Sequence, residues 1–316
     1  MNLQHIIFFT SEALNDASCD LLENLQCMDI ETFWNPLLNK IPKLPEQSTL
    51  VVSDTMDGIE FAIRHHFPYI EKWKEGLASS FLKKPVCYYD AIASLHPGYL
   101  INQWKRAHHL PLLIAQTNRL ILKELPAKDY AKLYAIRQMP SMGKYLPALN
   151  SLETELEKHI HYITYQYEFF DYGIWGVYDK NDILIGQAGI QNCEYQNETW
   201  LELSYLISPQ FQRNGYATEA ILAIYEYAVK ELEQNRMVAI IANQNLASIR
   251  TAMNLGMKKR EVTEHLGFPC HYYVINDIKD FLTRYKREQK RVQAAKSAYR
   301  NAMKHPVQEV YSRYRK

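Results

Sequence analysis

The sequence predicts an α/β protein with two domains: a small domain with a parallel sheet, then a larger domain with a mixed sheet. Its 316 residues exceed the roughly 100 to 200 of a typical single domain. In the first third of the chain, short apolar runs alternate with stretches at helical spacing, which is typical of a parallel sheet. Beyond it, a hairpin and further strands dominate. We expect domains at 1–110 and 111–283, and a basic, helical tail at 284–316.

In the first domain, strands are predicted at 6–10, 49–53 and 85–89, with helices at 13–25 and 57–66. Pro36, Pro42 and Pro45 indicate a loop between the first two units, because proline lacks an amide and has a fixed φ. Residues 95–111 contain a His96-Pro97-Gly98 turn signal and a short predicted helical stretch at 99–107. This segment is therefore the expected linker.

In the second domain, a strand at 119–123 precedes helices at 127–137 and 152–167. Strands at 174–178 and 184–191 flank a polar turn and form a predicted hairpin, and a strand at 200–207 follows. Apolar residues at helical spacing over 221–232 and a compact apolar run at 237–242 predict a further helix and strand.

The most informative segment is YLISPQFQRNGYATEA, residues 205–220, which predicts a strand, a polar turn at Gly215 and the start of a helix. The first amides of a helix have no intrahelical partners, and the helix dipole there favours negative charge. The segment therefore suits a phosphate group. Gly215 permits backbone angles that point successive amides into one concavity. Taken alone, Gly215 would favour a plain tight turn at a helix start over a phosphate site.

Residues 212–217, QRNGYA, resemble the Q/R-x-x-G-x-G/A acetyl-CoA signature of the GNAT superfamily of acetyltransferases. A second block of that superfamily, an Asn-x-x-Ser helix closed by a Leu-Gly-hydrophobic turn, is similar to residues 245–257. Residues 172–177 and 185–189 resemble the central hairpin of the branch typified by ribosomal-protein N-terminal acetyltransferases. The resemblance covers about half the chain.

The resemblance implies acetyl-CoA as co-substrate and no metal. It implies that the pantetheine arm pairs with a splayed strand at Leu206, Ile207 and Ser208, and that Asn245 and Ser248 lie near this arm. The pyrophosphate would bind the backbone of the signature and the helix start, with charge pairing from arginine. These residues are Gln212, Arg213, Asn214, Gly215, Tyr216, Ala217 and Thr218.

Two catalytic candidates follow from the same resemblance. Glu202 lies where many relatives have the carboxylate that deprotonates the amine. Ser248 lies where the ribosomal-protein branch has a hydroxyl near the thioester sulfur. The alternatives are an exposed strand carboxylate for Glu202 and a helix N-cap for Ser248. Many relatives have a tyrosine four residues after this serine, but this chain has Ala252, so the general acid is open.

The predicted function is direct transfer of an acetyl group to a primary amine, either a protein N-terminus or a small amine. The alternative is a sensor or scaffold protein that binds CoA but no longer catalyses acetyl transfer. The absence of the usual phenol is compatible with this alternative. The sequence does not choose between the classes of acceptor, because one fold serves many substrates.

The net charge of +1 gives no general reason to expect nucleic acid or a membrane as partner. Residues 284–316 carry eleven Lys or Arg against two Glu. Such a basic tail could bind ribosomal RNA or an acidic partner, or it could be a solvated helix. We expect the solvated helix. Five widely spaced cysteines without a C-x-x-C pair suggest reduced thiols in a cytoplasmic protein. The paired histidines lack chelating spacing, so we expect no metal site.

Asp54 follows the apolar run at 49–53, and this arrangement faintly resembles the later half of haloacid dehalogenase-like phosphatases. That family needs an Asp-x-Asp after its first strand, and residues 8–12, FFTSE, have none. We therefore expect a non-catalytic packing or recognition domain.

Overall fold

The computed structural model describes residues 2–73 and 84–304. The chain divides into two compact units between Leu112 and Leu113. Among the helices of the described ranges, none is both long and apolar enough to cross a membrane.

The first unit contains a five-stranded sheet in the order β2-β1-β3-β4-β5, and all its neighbouring strands are parallel. Three helices accompany it, and short 3₁₀ turns lie in the connections. The elements are β1 (His5–Phe9), α1 (Asp16–Gln26), β2 (Glu31–Trp34), β3 (Thr49–Ser53), α2 (Met56–Arg64), β4 (Tyr69–Lys72), β5 (Tyr88–Tyr89) and α3 (Pro97–Ala107).

Both faces of this sheet are covered, which explains why its central strands read as continuous apolar runs. All five residues of β3 are buried. Along β1, Ile6 and Phe8 join a core cluster that also contains residues of α1 and α3. Ile7 and Phe9 join a second cluster that contains residues of α2. The strand period of two therefore assigns alternate residues of β1 to opposite helix layers.

Two predictions for this unit need correction, and one strand was missed. The helical stretch predicted at 99–107 is confirmed as part of α3, but it is not a linker, because Leu100 and Trp104 are almost completely buried in the core. The strand predicted at 85–89 is reduced to Tyr88–Tyr89. Pro85 has no amide to donate to a sheet, which disfavours an earlier start. Strand β2 was not predicted, because none of its four residues is fully buried and its pattern is weak.

The second unit is built on an eight-stranded mixed sheet in the order β12-β13-β11-β10-β9-β8-β7-β6. Only the β10–β11 pair is parallel. Its strands are β6 (Leu113–Gln116), β7 (Leu120–Lys123), β8 (Ile174–Asp179), β9 (Leu184–Tyr195), β10 (Glu198–Ile207), β11 (Met237–Ala242), β12 (Lys258–His265) and β13 (Phe268–Ile275). Its helices are α4 (Tyr130–Arg137), α5 (Leu152–Tyr162), α6 (Glu168–Phe170), α7 (Tyr216–Lys230), α8 (Leu246–Asn254) and α9 (Ile278–Lys304).

The main core of this unit lies between the sheet and α7. Ile221, Ile224 and Tyr225 of α7 are fully buried against Leu201 and Leu203 of β10. This packing fixes the start of α7 relative to the end of β10. The loop between them therefore lies on a rigid strand and a rigid helix.

Helices at the two ends of this unit differ from the predictions. The helix predicted at 152–167 is α5 followed by a π-helical turn, Ile163–Tyr167. Residues 284–304 of the predicted tail are part of α9, whose first turns join the core through Ile278, Phe281 and Leu282. Side chains at 286–300 are exposed. Residues 305–316 of the predicted tail lie outside the described residues.

Candidate functional site

The two central strands of the second unit separate along their length. β10 pairs with β9 over all ten of its residues, but it pairs with β11 only where Glu202 faces Val238. Leu203 to Ile207 therefore have no pairing partner in β11. The β9–β10 register is continuous, so the separation does not depend on a bulge between those strands. Strands β10 and β11 therefore diverge beyond Glu202, and we call the region between them, beside the C-terminal half of β10, the gap.

The loop at the end of β10 leads into α7 through two left-handed residues. Arg213 has φ 63° and Gly215 has φ 78°. A Cβ on Gly215 would meet only Arg119 Nη2, at 3.6 Å, which is an ordinary contact. The reason for glycine here is therefore the backbone angle and not the available space.

The first turn of α7 has free amide donors. Gly215 is its N-cap and has no side chain with which to cap the helix. The first helical bond of the turn runs from the Glu219 amide to the Gly215 carbonyl at 3.0 Å. Within the described part of the chain, the amides from Arg213 to Thr218 have no acceptor. Residues 212–215 are exposed, so these donors are accessible to an anion.

An ion pair holds the start of α7 against the turn between β6 and β7. Arg119 Nη2 lies 2.6 Å from Glu219 Oε2, and the Thr117 hydroxyl donates to Glu219 Oε1 at 2.6 Å. Arg119 Nη1 also donates to the Asn214 carbonyl at 3.0 Å, and its guanidinium lies 4.5 Å from the centroid of the Tyr216 ring. Burial raises the pKa of Glu219, but the donors on Thr117 and Arg119 outweigh it and lower the pKa below its ordinary value.

Sequence reasoning missed this pair because its members are one hundred positions apart in the chain. A sequence signal exists only for Glu219, since an acidic residue in a first helical turn is favourable. Arg213, which was predicted to pair with the cofactor charge, is exposed and makes no ion pair with the described residues.

Two of the backbone groups predicted to meet the cofactor arm already have partners. The Ser208 amide donates to the Ile185 carbonyl at 2.8 Å, and the Ile207 carbonyl accepts from Gln212 Nε2 at 2.8 Å. Leu206, Ile207 and Ser208 are all buried. The side chain of Gln212 therefore supports the strand end, whereas its neighbours from 213 onward supply the accessible donors.

On the other side of the gap, α8 presents Ser248. Asn245 is the N-cap of this helix, and its side chain accepts from the Ser248 amide at 3.2 Å. The capping function considered for Ser248 thus belongs to Asn245. The Ser248 hydroxyl makes no hydrogen bond with the described residues. The Tyr205 phenol of β10 donates to the Ser248 carbonyl at 2.8 Å, so it spans the gap beside this hydroxyl.

Ala252, which occupies the position of the usual phenol, is fully buried in the core beside α7. Its methyl group has no access to the gap. The sequence alone indicates the absence of the phenol but not this burial. The hydroxyls of Tyr205, Ser248 and Tyr145 lie near the N-terminus of α8 instead.

Glu202 is the buried carboxylate of this region, with only 8 % of its surface exposed. Glu194 and Glu198 are exposed, and Glu198 pairs with Arg236 at 2.8 Å. The interpretation of Glu202 as an exposed strand carboxylate is therefore wrong. Gln191 Nε2 donates to Glu202 Oε2 at 3.2 Å. Burial raises the pKa of Glu202 above its ordinary value, partly offset by Gln191 and the nearby His265.

The segment between α4 and α5, residues 138–151, contacts both sides of the gap. These contacts were not predicted from the sequence. Gln212 Nε2 lies 3.6 Å from Met142 Sδ on one side. The Tyr145 phenol donates to the Gln244 carbonyl, just before α8, at 2.8 Å on the other. No regular sequence period marks this segment, so only the folded chain reveals it.

Within residues 2–73 and 84–304, no group of three or more His, Cys, Asp or Glu side chains could hold a metal ion. His159, which with His161 was expected not to bind a metal, is buried, with Nε2 2.8 Å from the Leu125 carbonyl. Burial lowers its pKa, although the contact with that carbonyl opposes the shift.

The loop, the gap and the flanking helices all lie within a segment that matches a known family. The family described as "Acetyltransferase (GNAT) domain" matches residues 119–258. This segment is a GNAT acetyltransferase domain. The match does not extend to the first unit, so the faint resemblance of that unit to haloacid dehalogenase-like phosphatases has no support.

Three bacterial proteins are similar to this GNAT domain. The chain is 28 % identical over 144 residues to the uncharacterized N-acetyltransferase YnaD of Bacillus subtilis strain 168, covering 45 % of this chain and 81 % of that protein. It is 29 % identical over 154 residues to the uncharacterized N-acetyltransferase YoaA of the same organism, and the match covers 47 % of this chain and 85 % of YoaA. A GNAT-family acetyltransferase structure from Bacillus anthracis has 21 % identity and a TM-score of 0.45, covering 52 % of this chain and 98 % of its own.

Proposed function

We propose that this protein transfers an acetyl group from acetyl-CoA directly to a primary amine, and that the gap between β10 and α8 is the reaction site. The observation that carries this proposal is the set of accessible amides from Arg213 to Thr218 at the start of α7. They meet the needs of a diphosphate, which binds several backbone donors at a helix N-terminus. The exposed Arg213 adds a positive charge beside them.

The pantetheine arm would continue from this loop into the gap. β11 diverges after Glu202, so the edge of β10 that faces away from β9 has no neighbouring strand from Leu203 to Ile207, although the Ile207 carbonyl already accepts from Gln212 Nε2. An extended amide-containing chain can pair with such a strand edge. Asn245 and Ser248 border the same gap from α8.

Acetyl-CoA supplies a thioester, whose carbonyl carbon an amine attacks. The amine must first lose a proton, and Glu202 is the proposed acceptor of that proton, directly or through water. Its burial supports this role, because a carboxylate with a raised pKa is a stronger base than an exposed one. Gln191 is a positioning residue, since its side chain orients the Glu202 carboxylate.

The leaving thiolate requires a proton or a hydrogen-bond donor. We assign this role to the Ser248 hydroxyl, which has no partner among the described residues and lies at the edge of the gap. Tyr205 is engaged by the Ser248 carbonyl and holds α8 in place. Burial raises the pKa of this phenol, so Tyr205 is a weak proton donor and better suited to a structural contact.

Acetylation is tested by release of the CoA thiol from acetyl-CoA, measured with a panel of small primary amines and N-terminal peptides. We expect thiol release only in the presence of an acceptor, with equimolar acetylated product detected by mass spectrometry. The panel also distinguishes the two classes of acceptor. Tight binding of acetyl-CoA with no turnover on any acceptor would contradict the proposal and favour a sensor or scaffold.

A further inference from the structure

The first unit contains a cavity of about 530 Å³ at the carboxyl ends of β4 and β5. In parallel α/β sheets, ligands bind outside this edge. The lining is aromatic with a few polar groups, which is typical of a small-molecule site. The residues concerned are Trp73, Tyr88, Tyr89, Asp90, Ser94 and Tyr99.

The aromatic walls are arranged as a corner. The rings of Trp73 and Tyr88 are 5.4 Å apart with an interplanar angle of 86°, and 56 % and 39 % of these residues are exposed. The Tyr99 hydroxyl donates to the Tyr88 carbonyl at 3.4 Å, which ties the first turn of α3 to β5. The corner is therefore supported from behind while its rings face solvent.

A buried hydroxyl at this edge has no hydrogen-bond partner among the described residues. Tyr89 is only 4 % exposed, and its hydroxyl makes no hydrogen bond within the described part of the chain. Burial raises the pKa of Tyr89, and the carboxylates of Asp54, Glu12 and Glu71 raise it further. Three carboxylates therefore lie near this hydroxyl.

The rim of the cavity has the same sign of charge. Asp90 is exposed and makes no ion pair with the described residues. Lys72, which precedes Trp73, is already paired with Glu12 at 2.6 Å. Ring faces together with a carboxylate that has no ion-pair partner among the described residues favour a positively charged ligand.

We propose that this cavity binds an organic ammonium cation, with its charge between the rings of Trp73 and Tyr88 and the carboxylate of Asp90. An uncharged ligand of the same shape would contact the rings but gain nothing from the carboxylates. The proposal is independent of acetyl transfer, because the GNAT domain begins at residue 119.

The full chain is titrated in ligand-observed NMR with choline as a quaternary ammonium probe, and with its carbon isostere, in which tert-butyl replaces trimethylammonium. We expect saturable choline binding, at least about fivefold tighter than that of the isostere. Trp73→Ala should weaken choline binding between about twofold and thirtyfold, and Trp73→Phe should restore most of it. Asp90→Asn should also weaken it.

The matched control is Asp20→Asn, which removes an exposed carboxylate from α1 and should leave choline binding unchanged. Circular dichroism verifies that each variant is folded, which we expect because Trp73 and Asp90 are exposed. Equal affinity for choline and its isostere would overturn the proposal. So would choline binding that is absent, or that Trp73→Ala and Asp90→Asn leave unchanged.

Discussion

At the scale of single residues, burial separates Glu202 from the other acidic groups of its hairpin. All three glutamates lie close together in sequence, yet only Glu202 is withdrawn from water. A buried carboxylate holds its proton more tightly, and this property suits a base that must act near neutral pH.

Replacing Glu202 should change the pH dependence of acetylation. Glu202 acts in its ionised form, so kcat/KM should fall as the pH drops through its raised pKa, above the ~4.3 of an ordinary glutamate. Glu202→Gln should lower kcat/KM by on the order of 100-fold and remove this acidic limb. Glu198→Gln changes an exposed residue of the same strand, and this variant should retain both the kcat/KM and the acidic limb of the unmodified protein. An unchanged profile in Glu202→Gln would exclude Glu202 as the base.

Restoring the usual phenol should damage the fold without improving catalysis. Ala252 is completely enclosed by the core, so Ala252→Tyr should reduce the free energy of unfolding by about 1 to 3 kcal/mol or more in urea denaturation. Ala131→Tyr, at an exposed position of α4, is the control and should have little effect. A stable Ala252→Tyr variant with faster turnover would show that this position faces the reaction site.

At the scale of elements, the start of α7 depends on contacts that sequence patterns do not contain. The signature at 212–217 predicted a polar turn and a helix start from local chemistry alone, and the structure has both. Local chemistry cannot reveal a partner from a distant strand, so Arg119 went unnoticed. The divergence of β10 from β11 could not be predicted for the same reason. Strand β12 could not be predicted because it is mostly exposed and its residues show no alternation of apolar and polar side chains.

Removing the ion pair should loosen the loop before α7. Arg119→Ala leaves Glu219 without its cation and frees the Asn214 carbonyl, so acetyl-CoA should bind several-fold more weakly in calorimetry. Arg119→Ala combined with Glu219→Gln should show a coupling of about 1 kcal/mol in stability, because the two side chains share one interaction.

Lys123→Ala is the control for this prediction. Lys123 is a cation at the end of β7 that pairs with Asp182, away from the signature loop in sequence. The Lys123→Ala variant should bind acetyl-CoA with the affinity of the unmodified protein. If Arg119→Ala binds acetyl-CoA as tightly as Lys123→Ala does, the pair does not position the loop.

At the scale of the whole molecule, every candidate residue for acetyl transfer lies in the second compact unit. This unit has its own sheet and its own core cluster. Alternating strands and helices were enough to predict a parallel sheet in the first unit. They could not reveal that α3 completes its core, because the turn signal before α3 resembles that of a linker.

We propose that the second unit is sufficient for binding acetyl-CoA. A fragment that begins at Leu110 retains all strands of the mixed sheet and should have the affinity of the full chain in calorimetry. Its helical and strand content should be checked by circular dichroism. A folded fragment without affinity for acetyl-CoA would show that the first unit contributes to the site.

The central claim is that the amides from Arg213 to Thr218 hold the diphosphate of CoA. Calorimetric titration of CoA into Gly215→Asp tests it most directly, because an added carboxylate at this point repels the diphosphate. Gly267→Asp is the matched control, since Gly267 also has a positive φ and open space around it. We predict at least about tenfold weaker binding for Gly215→Asp and unchanged binding for Gly267→Asp. Equal affinity of the two variants would contradict the account.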